Sequence, residues 1–196
     1  AAQAVKAVQK LGPLDIKMIA PSHGLVWRSN LHWVLDRYVK WSTGENEEGV
    51  VIVYGSMYGN TALMADIIAR GVSEAGVKNI KIYDVAKTEV SHIISDIWKY
   101  KGAIIGACAH YGSVFPNMTL LLHELTEFKP KNKIYGVFGG MSWGGGGVKY
   151  INNVMEKNQW ECPVESVEVK GAPYRDEDVK RLYNMGKTIG ERVINS

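Results

Sequence analysis

The chain has 196 residues and a formal net charge of +3, with 46% hydrophobic and 22% charged residues. These values suit a globular protein with one α/β domain and some additional chain. The charge is scattered, without a basic stripe interleaved with aromatic rings, so we expect no nucleic-acid partner. No apolar run approaches the ~20 residues of a membrane helix, and the signal-peptide pattern is missing, so we expect no membrane association. The only cysteines, Cys108 and Cys162, have no paired spacing, which favours a cytoplasmic protein.

The first 45 residues predict a helix, a short strand and a second helix, together too small to bury a core. These elements are expected at 2–11, 16–20 and 30–41. Asn30 is predicted to cap the second helix. The polar, acidic stretch 42–49 is predicted to be a linker, so the chain is expected to divide into residues 1–45 and 46–196.

From residue 50 onward the pattern predicts strict alternation of strands and helices. Strands are expected near 50–54, 79–85, 102–108, 133–139 and 164–169, with helices near 61–75, 88–100, 117–128, 146–157 and 176–193. The first, third and fourth strands are continuously apolar, as in interior parallel strands. The second and fifth include Lys or Glu, as edge strands do. This predicts a three-layer, doubly wound α/β fold around a five-stranded parallel sheet in the order 2-1-3-4-5.

The loop after the first of these strands has the character of a phosphate site. Residues 55–61 read Gly-Ser-Met-Tyr-Gly-Asn-Thr and lead into a helix. In such a loop, backbone amides and the positive end of the helix dipole converge on an anion. Neither the P-loop nor the dinucleotide-binding pattern is present, so the donors would be neutral. The loop resembles the FMN phosphate loop of flavodoxins; an ordinary strand–helix turn with an Asn-Thr cap is the alternative.

Two further loops, at 107–116 and 139–147, follow the third and fourth strands, and all three are expected to line one crevice. A flavin ring there would need aromatic walls and close backbone amides. Trp143 would cover one ring face, and Tyr111 or Met57 the other. Two alternatives stay open. Trp143 could instead be an exposed loop residue or a contact for a partner, and His110 could either bond to the flavin or face water. The predicted FMN-binding residues are Ser56, Met57, Tyr58, Gly59, Asn60, Thr61, Ala109, His110, Tyr111, Gly112, Ser142, Trp143, Gly144 and Gly145.

With these motifs, residues 46–196 resemble the flavodoxin-like domain of flavodiiron proteins, the A-type flavoproteins that include rubredoxin:oxygen oxidoreductases. The matching residues are 55–61, Phe115-Pro116, and the Ser-Trp-Gly-Gly-Gly run at 142–146. Ser142 departs from the Gly-Trp that is usual in the family, and Cys108-Ala109 departs from its frequent Pro-Thr. We interpret Cys108 as a small strand-end residue rather than a redox thiol.

The run Ile-Ala-Pro-Ser-His-Gly-Leu-Val-Trp-Arg at 19–28 resembles the closing motif of that family's metallo-β-lactamase-like domain. The resemblance implies that residues 1–45 are the C-terminal remnant of that domain and that His23 is a ligand of one iron. The family's other ligands, from a His-x-Glu-x-Asp-His motif and further His and Asp residues, are not in this sequence. One histidine cannot hold two irons, so we expect a fragment without the diiron site.

The resemblance implies an FMN electron-transfer domain of an oxygen- or nitric oxide-reducing flavodiiron protein. Its donor would be rubredoxin or a reduced deazaflavin, its acceptor a diiron site outside this chain, and its assembly a head-to-tail dimer. No residue is expected to act as acid or base, because the flavin carries the chemistry; whether the fragment is itself an enzyme stays open. The alternatives are an NAD(P)H-dependent FMN quinone reductase and a stand-alone flavodoxin-type carrier. A receiver domain is excluded, because Tyr54-Gly55-Ser56 stands where it needs acidic residues.

Overall fold

The computed structural model describes residues 2–196, with side chains from residue 3 onward, as two compact units that meet in sequence at Asn46 and Glu47. The first unit contains the helices α1 (Ala2–Leu11) and α2 (Leu31–Thr43). Val34 is its buried apolar side chain, whereas Leu14, Met18 and Leu25 are more than half exposed. This unit therefore keeps much of its apolar surface uncovered by its own residues.

Three local predictions in this part of the chain are wrong. Residues 16–20 form no strand; a single antiparallel bridge joins Ile19 to Trp27, and no ladder extends from it. Asn30 precedes α2 in the left-handed conformation (φ 54°) without a side-chain cap bond, since capping needs extended backbone at that position. The linker predicted at 42–49 is wrong in its extent, because α2 runs to Thr43 and the next strand begins at Glu47, which leaves only residues 44–46 between them.

The second unit alternates strands and helices as the sequence pattern predicts. The strands are β1 (Glu47–Gly55), β2 (Ile80–Asp84), β3 (Tyr100–His110), β4 (Ser113–Val114), β5 (Ile134–Met141) and β6 (Val167–Lys170). The helices are α3 (Asn60–Glu74), α4 (Val90–Lys99), α5 (Pro116–Phe128), α6 (Gly147–Met155) and α7 (Asp176–Ile194), with one 3-10 turn at Glu156–Asn158. Within residues 2–196 no helix is both long and apolar enough to cross a membrane.

The sheet order is β2-β1-β3-β5-β6, with these five strands parallel. The predicted fourth and fifth strands are β5 and β6 here, because the short β4 takes a number. The predicted doubly wound α/β fold and its strand order are therefore confirmed. The sequence pattern missed β4, a two-residue strand antiparallel to the end of β3. It was missed because the hairpin lies wholly inside a loop.

Helices cover both faces of the sheet. Val51 and Val53 of β1 point into an apolar cluster with α4, α5 and α6, while Val50 and Ile52 point into one with α3 and α7. This alternation along one strand produces the three layers. Helices α3 and α7 pack with their backbones in contact at Gly71. A Cβ at that position would overlap the Tyr183 carbonyl oxygen, so only glycine permits this approach.

The register brings the loops of interest to one edge of the sheet. Gly55 at the end of β1 pairs with Ala107, and the neighbouring Cys108 pairs with Gly140 of β5. Because parallel strands end together, the segments that follow β1, β3 and β5 leave the sheet side by side.

Candidate functional site

The first loop of the site connects β1 to α3 through residues 56–59. Ser56 Oγ accepts the Gly59 amide hydrogen at 3.1 Å and closes the turn. Gly59 has φ 87°, a conformation that glycine adopts without strain. Leu63 N–H donates to the Gly59 carbonyl as the first bond of the helix. The amides of residues 60–62 therefore lack helical acceptors and are available to an anion.

Thr61 is the most unusual side chain of this loop. It is 1% exposed, and its Oγ1 has no hydrogen-bond partner among the described residues. A buried hydroxyl without a partner costs about 1–3 kcal/mol. An unpaired hydroxyl at the N-terminus of a helix indicates a donor whose hydrogen-bond acceptor is a bound ligand.

A cavity of about 90 Å³ opens in front of Thr61. Its first wall comes from the β1–α3 segment and consists of Ser56, Met57, Tyr58, Asn60 and Thr61. Its second wall comes from the ends of other strands and consists of Cys108, Ala109, Gly140, Met141, Ser142 and Gly171. Neither wall contains a carboxylate, an imidazole or an amine, so the cavity offers only neutral donors.

Gly140 forms the floor of this cavity. A Cβ built on it would lie 3.4 Å from Met64 Cε and 3.7 Å from Thr61 Oγ1, which are ordinary contact distances. A small side chain at Gly140 would therefore fit without a clash, but it would occupy the space next to the Thr61 hydroxyl. The neighbouring Cys108 thiol accepts the Met57 N–H; burial raises the pKa of Cys108, although this hydrogen bond opposes the shift. The thiol is therefore a neutral part of the wall.

The second loop is a hairpin between β3 and β4. His110 pairs with Ser113 across Tyr111 (φ 47°) and Gly112 (φ 72°), the pattern of a type I′ turn. Tyr111 at the tip is 96% exposed. The His110 ring packs edge-on against it, with centroids 4.4 Å apart. The exposed Tyr111 ring thus packs on a half-buried His110 ring in the loop that follows Ala109 of the cavity wall.

The third loop, residues 142–146, leads from β5 into α6. Trp143 is 100% exposed. Gly146 has φ 122°, and a Cβ there would overlap the Gly112 carbonyl, so the second and third loops touch backbone to backbone. Behind the loop, both carboxylate oxygens of Glu168 lie 3.0 Å from the position of a Cβ on Gly145. We call residues 110–112 and 142–145 the aromatic rim.

With this geometry established, comparison with known proteins identifies the family. The sequence model described as Flavodoxin matches residues 52–181. This chain belongs to the flavodoxin family. Helix α7 and strand β6 complete the flavodoxin fold beyond the loops that line the cavity.

The relatives of this flavodoxin-family chain include longer proteins. The anaerobic nitric oxide reductase flavorubredoxin of Escherichia coli (strain K12) is 32% identical over 170 residues, which cover 86% of this chain and 35% of that protein. The rubredoxin oxygen:oxidoreductase of Desulfovibrio gigas superimposes with a TM-score of 0.88 at 26% identity, over 99% of this chain and 49% of that one. The chain spans about a third of the curated relatives and half of this structure. The resemblance to the flavodoxin-like domain of flavodiiron proteins is confirmed.

Two other solved structures share the fold. The flavodiiron protein of Giardia intestinalis gives a TM-score of 0.90 at 23% identity, over 99% of this chain and 48% of that chain. A flavodoxin from the domain Archaea gives 0.65 at 22% identity, over 74% of this chain and 99% of that one. The flavodoxin fold therefore accounts for about three quarters of the chain, while flavodiiron proteins match nearly all of it.

Half of the predicted FMN-binding residues of the flavodoxin domain line the cavity. These are Ser56, Met57, Tyr58, Asn60, Thr61, Ala109 and Ser142. The others, Gly59, His110, Tyr111, Gly112, Trp143, Gly144 and Gly145, lie in the loops around it. All fourteen assignments to FMN stay predictions.

Four residues of the cavity lining are absent from the set of predicted FMN-binding residues: Cys108, Gly140, Met141 and Gly171. Cys108, Gly140 and Met141 lie within the last three residues of the interior strands β3 and β5, inside the segments 107–116 and 139–147 that were expected to line the crevice. Gly171 follows the edge strand β6, whose end was not expected to reach the crevice. No signal in the sequence marks Gly171.

The predicted iron ligand His23 lies on the exposed surface of the first unit, in the loop between its two helices. Within residues 2–196 no three His, Cys, Asp or Glu side chains come together as a metal site. The described structure therefore offers His23 no companion ligands.

Proposed function

We propose that this chain binds FMN in the crevice formed by its three loops and transfers electrons as the flavodoxin-like domain of a flavodiiron protein. The observation that carries the proposal is the Thr61 hydroxyl, buried and unpartnered at the start of α3 and facing a cavity of neutral donors. A phosphate monoester would supply the missing acceptor. The family match at residues 52–181 supports the same conclusion.

The residues present suit the phosphate of FMN. The free amides of the first turn of α3 and the hydroxyls of Ser56 and Thr61 would bind it, with the helix dipole favouring its charge. The cavity is small, and the Gly140 floor leaves room for a small anionic group. The flavin ring would then contact Trp143 and Tyr111 of the aromatic rim and Met57 of the first wall, all of which are exposed.

Bound FMN supplies the electron transfer itself. The chain contributes binding and orientation, and the cavity lining contains no carboxylate, imidazole or amine. We therefore propose that this chain is an electron-transfer module and that any substrate turnover belongs to the intact protein.

The longer relatives suggest the partners of this module. One is named a nitric oxide reductase flavorubredoxin and another a rubredoxin oxygen:oxidoreductase. We propose that a rubredoxin-type protein or a reduced deazaflavin delivers electrons and that a diiron site outside this chain accepts them, in a head-to-tail dimer. Oxygen and nitric oxide are both candidates for the final acceptor.

We further propose that residues 1–45 are the end of a metallo-β-lactamase-like domain and residues 46–196 the FMN domain. The exposed Leu14, Met18 and Leu25 support this, because a fragment cut from a larger domain exposes apolar contacts. The Desulfovibrio gigas structure also matches 99% of the chain, including this segment. His23 would bind iron only together with ligands from outside this chain.

The experiment that tests the proposal is a binding titration of the purified 196-residue chain with FMN and with riboflavin, followed by flavin fluorescence. We expect FMN to bind at least tenfold more tightly than riboflavin, because riboflavin lacks the phosphate that completes Thr61. Absence of FMN binding would overturn the proposal. Equal affinity for the two flavins would show that residues 56–61 do not bind the phosphate.

A further inference from the structure

A carboxylate stands directly behind the loop that carries Trp143. Glu168 lies in the middle of β6, where Val167 and Val169 on either side point into the cluster with α3 and α7. Side chains alternate along a strand, so Glu168 points to the opposite face. Its partner in the register is Gly139 of β5, and a Cβ on Gly139 would meet Val148 of α6. Glu168 is therefore on the face that α6 covers.

The Glu168 carboxylate touches the backbone of the third loop. Both oxygens lie 3.0 Å from where a Cβ on Gly145 would be, so a side chain at Gly145 would displace the carboxylate. The next residue, Gly146, packs against the Gly112 carbonyl of the second loop. The half-buried charge thus lies one residue from the point where the two rim loops meet.

The loop and the helix after it otherwise present positive potential. The first amides of α6 follow Gly146 without a side-chain cap, and a helix N-terminus carries a partial positive charge. Loop amides and this dipole favour negative charge in front of them. A carboxylate behind the loop opposes that field, and partial burial leaves its charge less screened than it would be in open solvent.

We propose that Glu168 is a positioning residue that sets the reduction potential of the bound flavin. This inference rests on the proposed function. Reduction adds electrons to the ring, so a nearby negative charge disfavours the reduced form more than the oxidised form. Glu168 therefore lowers the potential, and its contact with Gly145 holds the loop in place.

The test compares three variants of the full chain loaded with FMN. Glu168→Gln removes the charge and keeps the shape, Glu168→Ala removes the charge and the contact, and Glu165→Gln removes a charge from an exposed position just before β6. The midpoint potential is measured by dye-coupled titration, and the affinity for oxidised FMN by fluorescence. The potential reports the ratio of the affinities for reduced and oxidised FMN.

We expect Glu168→Gln and Glu168→Ala to raise this ratio by roughly threefold to tenfold, as for one partly screened charge, with no change in Glu165→Gln. Only Glu168→Ala should also weaken binding of oxidised FMN. An unchanged potential in Glu168→Gln, or an equal shift in Glu165→Gln, would overturn the inference. Weaker oxidised binding without a potential shift would make Glu168 only a support for the loop. If wild-type chain binds no FMN, the proposed function fails instead.

Discussion

The phosphate cradle, residues 56–61 with Gly140 beside them, contains a buried side chain, whereas the aromatic rim carries exposed rings at Tyr111 and Trp143. In the cradle the decisive group, Thr61, is 1% exposed and held at the start of a helix. In the rim Trp143 is 100% exposed and extends from a loop of consecutive glycines. The Thr61 side chain is therefore held by its surroundings, whereas the Trp143 ring is not covered by neighbouring residues.

This difference separates two kinds of recognition. Backbone amides and buried hydroxyls in the cradle have fixed positions, so they select a phosphate by geometry. Exposed rings contribute contact area and stacking, which tolerate variation in the stacked group. Substitutions in the cradle should therefore discriminate FMN from riboflavin, and substitutions in the rim should affect both flavins alike.

The largest effect is expected when the floor of the cradle is filled. Gly140→Ala places a methyl group within 3.7 Å of Thr61 Oγ1 without a clash, so the fold should persist while the phosphate loses space. We expect FMN affinity to fall by about 3 kcal/mol, the upper end of the usual cost of overpacking, because the methyl group competes with the bound phosphate for space. Gly144→Ala is the matched control, because its Cβ would meet nothing within 4 Å. Isothermal titration measures both, and equal effects would erase the contrast between cradle and rim.

The next largest effect is expected when the Thr61 hydroxyl is removed, which should weaken FMN binding without lowering the stability of the flavin-free protein. Thr61→Val removes a donor to the phosphate and should weaken FMN binding by about 1–3 kcal/mol, while the flavin-free protein should become no less stable, because an unpaired buried hydroxyl disappears. Affinity and denaturant unfolding test the two signs. Thr119→Val, on the exposed side of α5, should change neither. A destabilised flavin-free Thr61→Val protein would mean that the hydroxyl is already satisfied.

A smaller effect is expected from Trp143 in the rim. Trp143→Ala should weaken FMN and riboflavin equally, by about 1 kcal/mol, the lower end of the range for aromatic stacking. Flavin-free stability should not change, since the side chain is fully exposed. Trp143→Phe keeps an aromatic face and should retain most of the affinity. If Trp143→Ala binds both flavins normally, Trp143 does not stack on the ring.

The fold was more predictable than the site. Strands β1, β3 and β5 are buried on both faces, so their continuous apolar runs identify interior strands, and a mixed edge pattern then fixes the order. Asn30 shows the limit of local signals, because capping depends on a backbone angle that composition does not specify. Gly171 shows the limit for sites: it follows an edge strand, and its N–H donates to the carbonyl of Met141 at 2.8 Å, which brings it to the cavity wall.

The smallest effect on flavin binding is expected at the opposite end of the sheet. Lys133 is 2% exposed, and its Nζ donates to the carbonyls of Trp98 and Tyr100 at 2.9 and 2.7 Å. Burial, helped by the charge of Lys101, lowers the pKa of Lys133 to about 7. A neutral amine keeps two N–H donors, one for each of these carbonyls. Lys133→Met should therefore leave FMN affinity unchanged while altering the dependence of stability on pH.

The sign of that dependence follows from proton linkage. Between about pH 7 and the ordinary lysine pKa of about 10.4, the unfolded chain binds more protons at this residue than the folded one. The contribution of Lys133 is therefore complete above that range, declines as the pH falls towards 7, and is constant below it. We expect the stability difference between wild-type protein and Lys133→Met to rise from pH 7 to 9.5 in urea unfolding. A flat difference would mean that Lys133 stays charged in the folded protein, with the two carbonyls outweighing its burial.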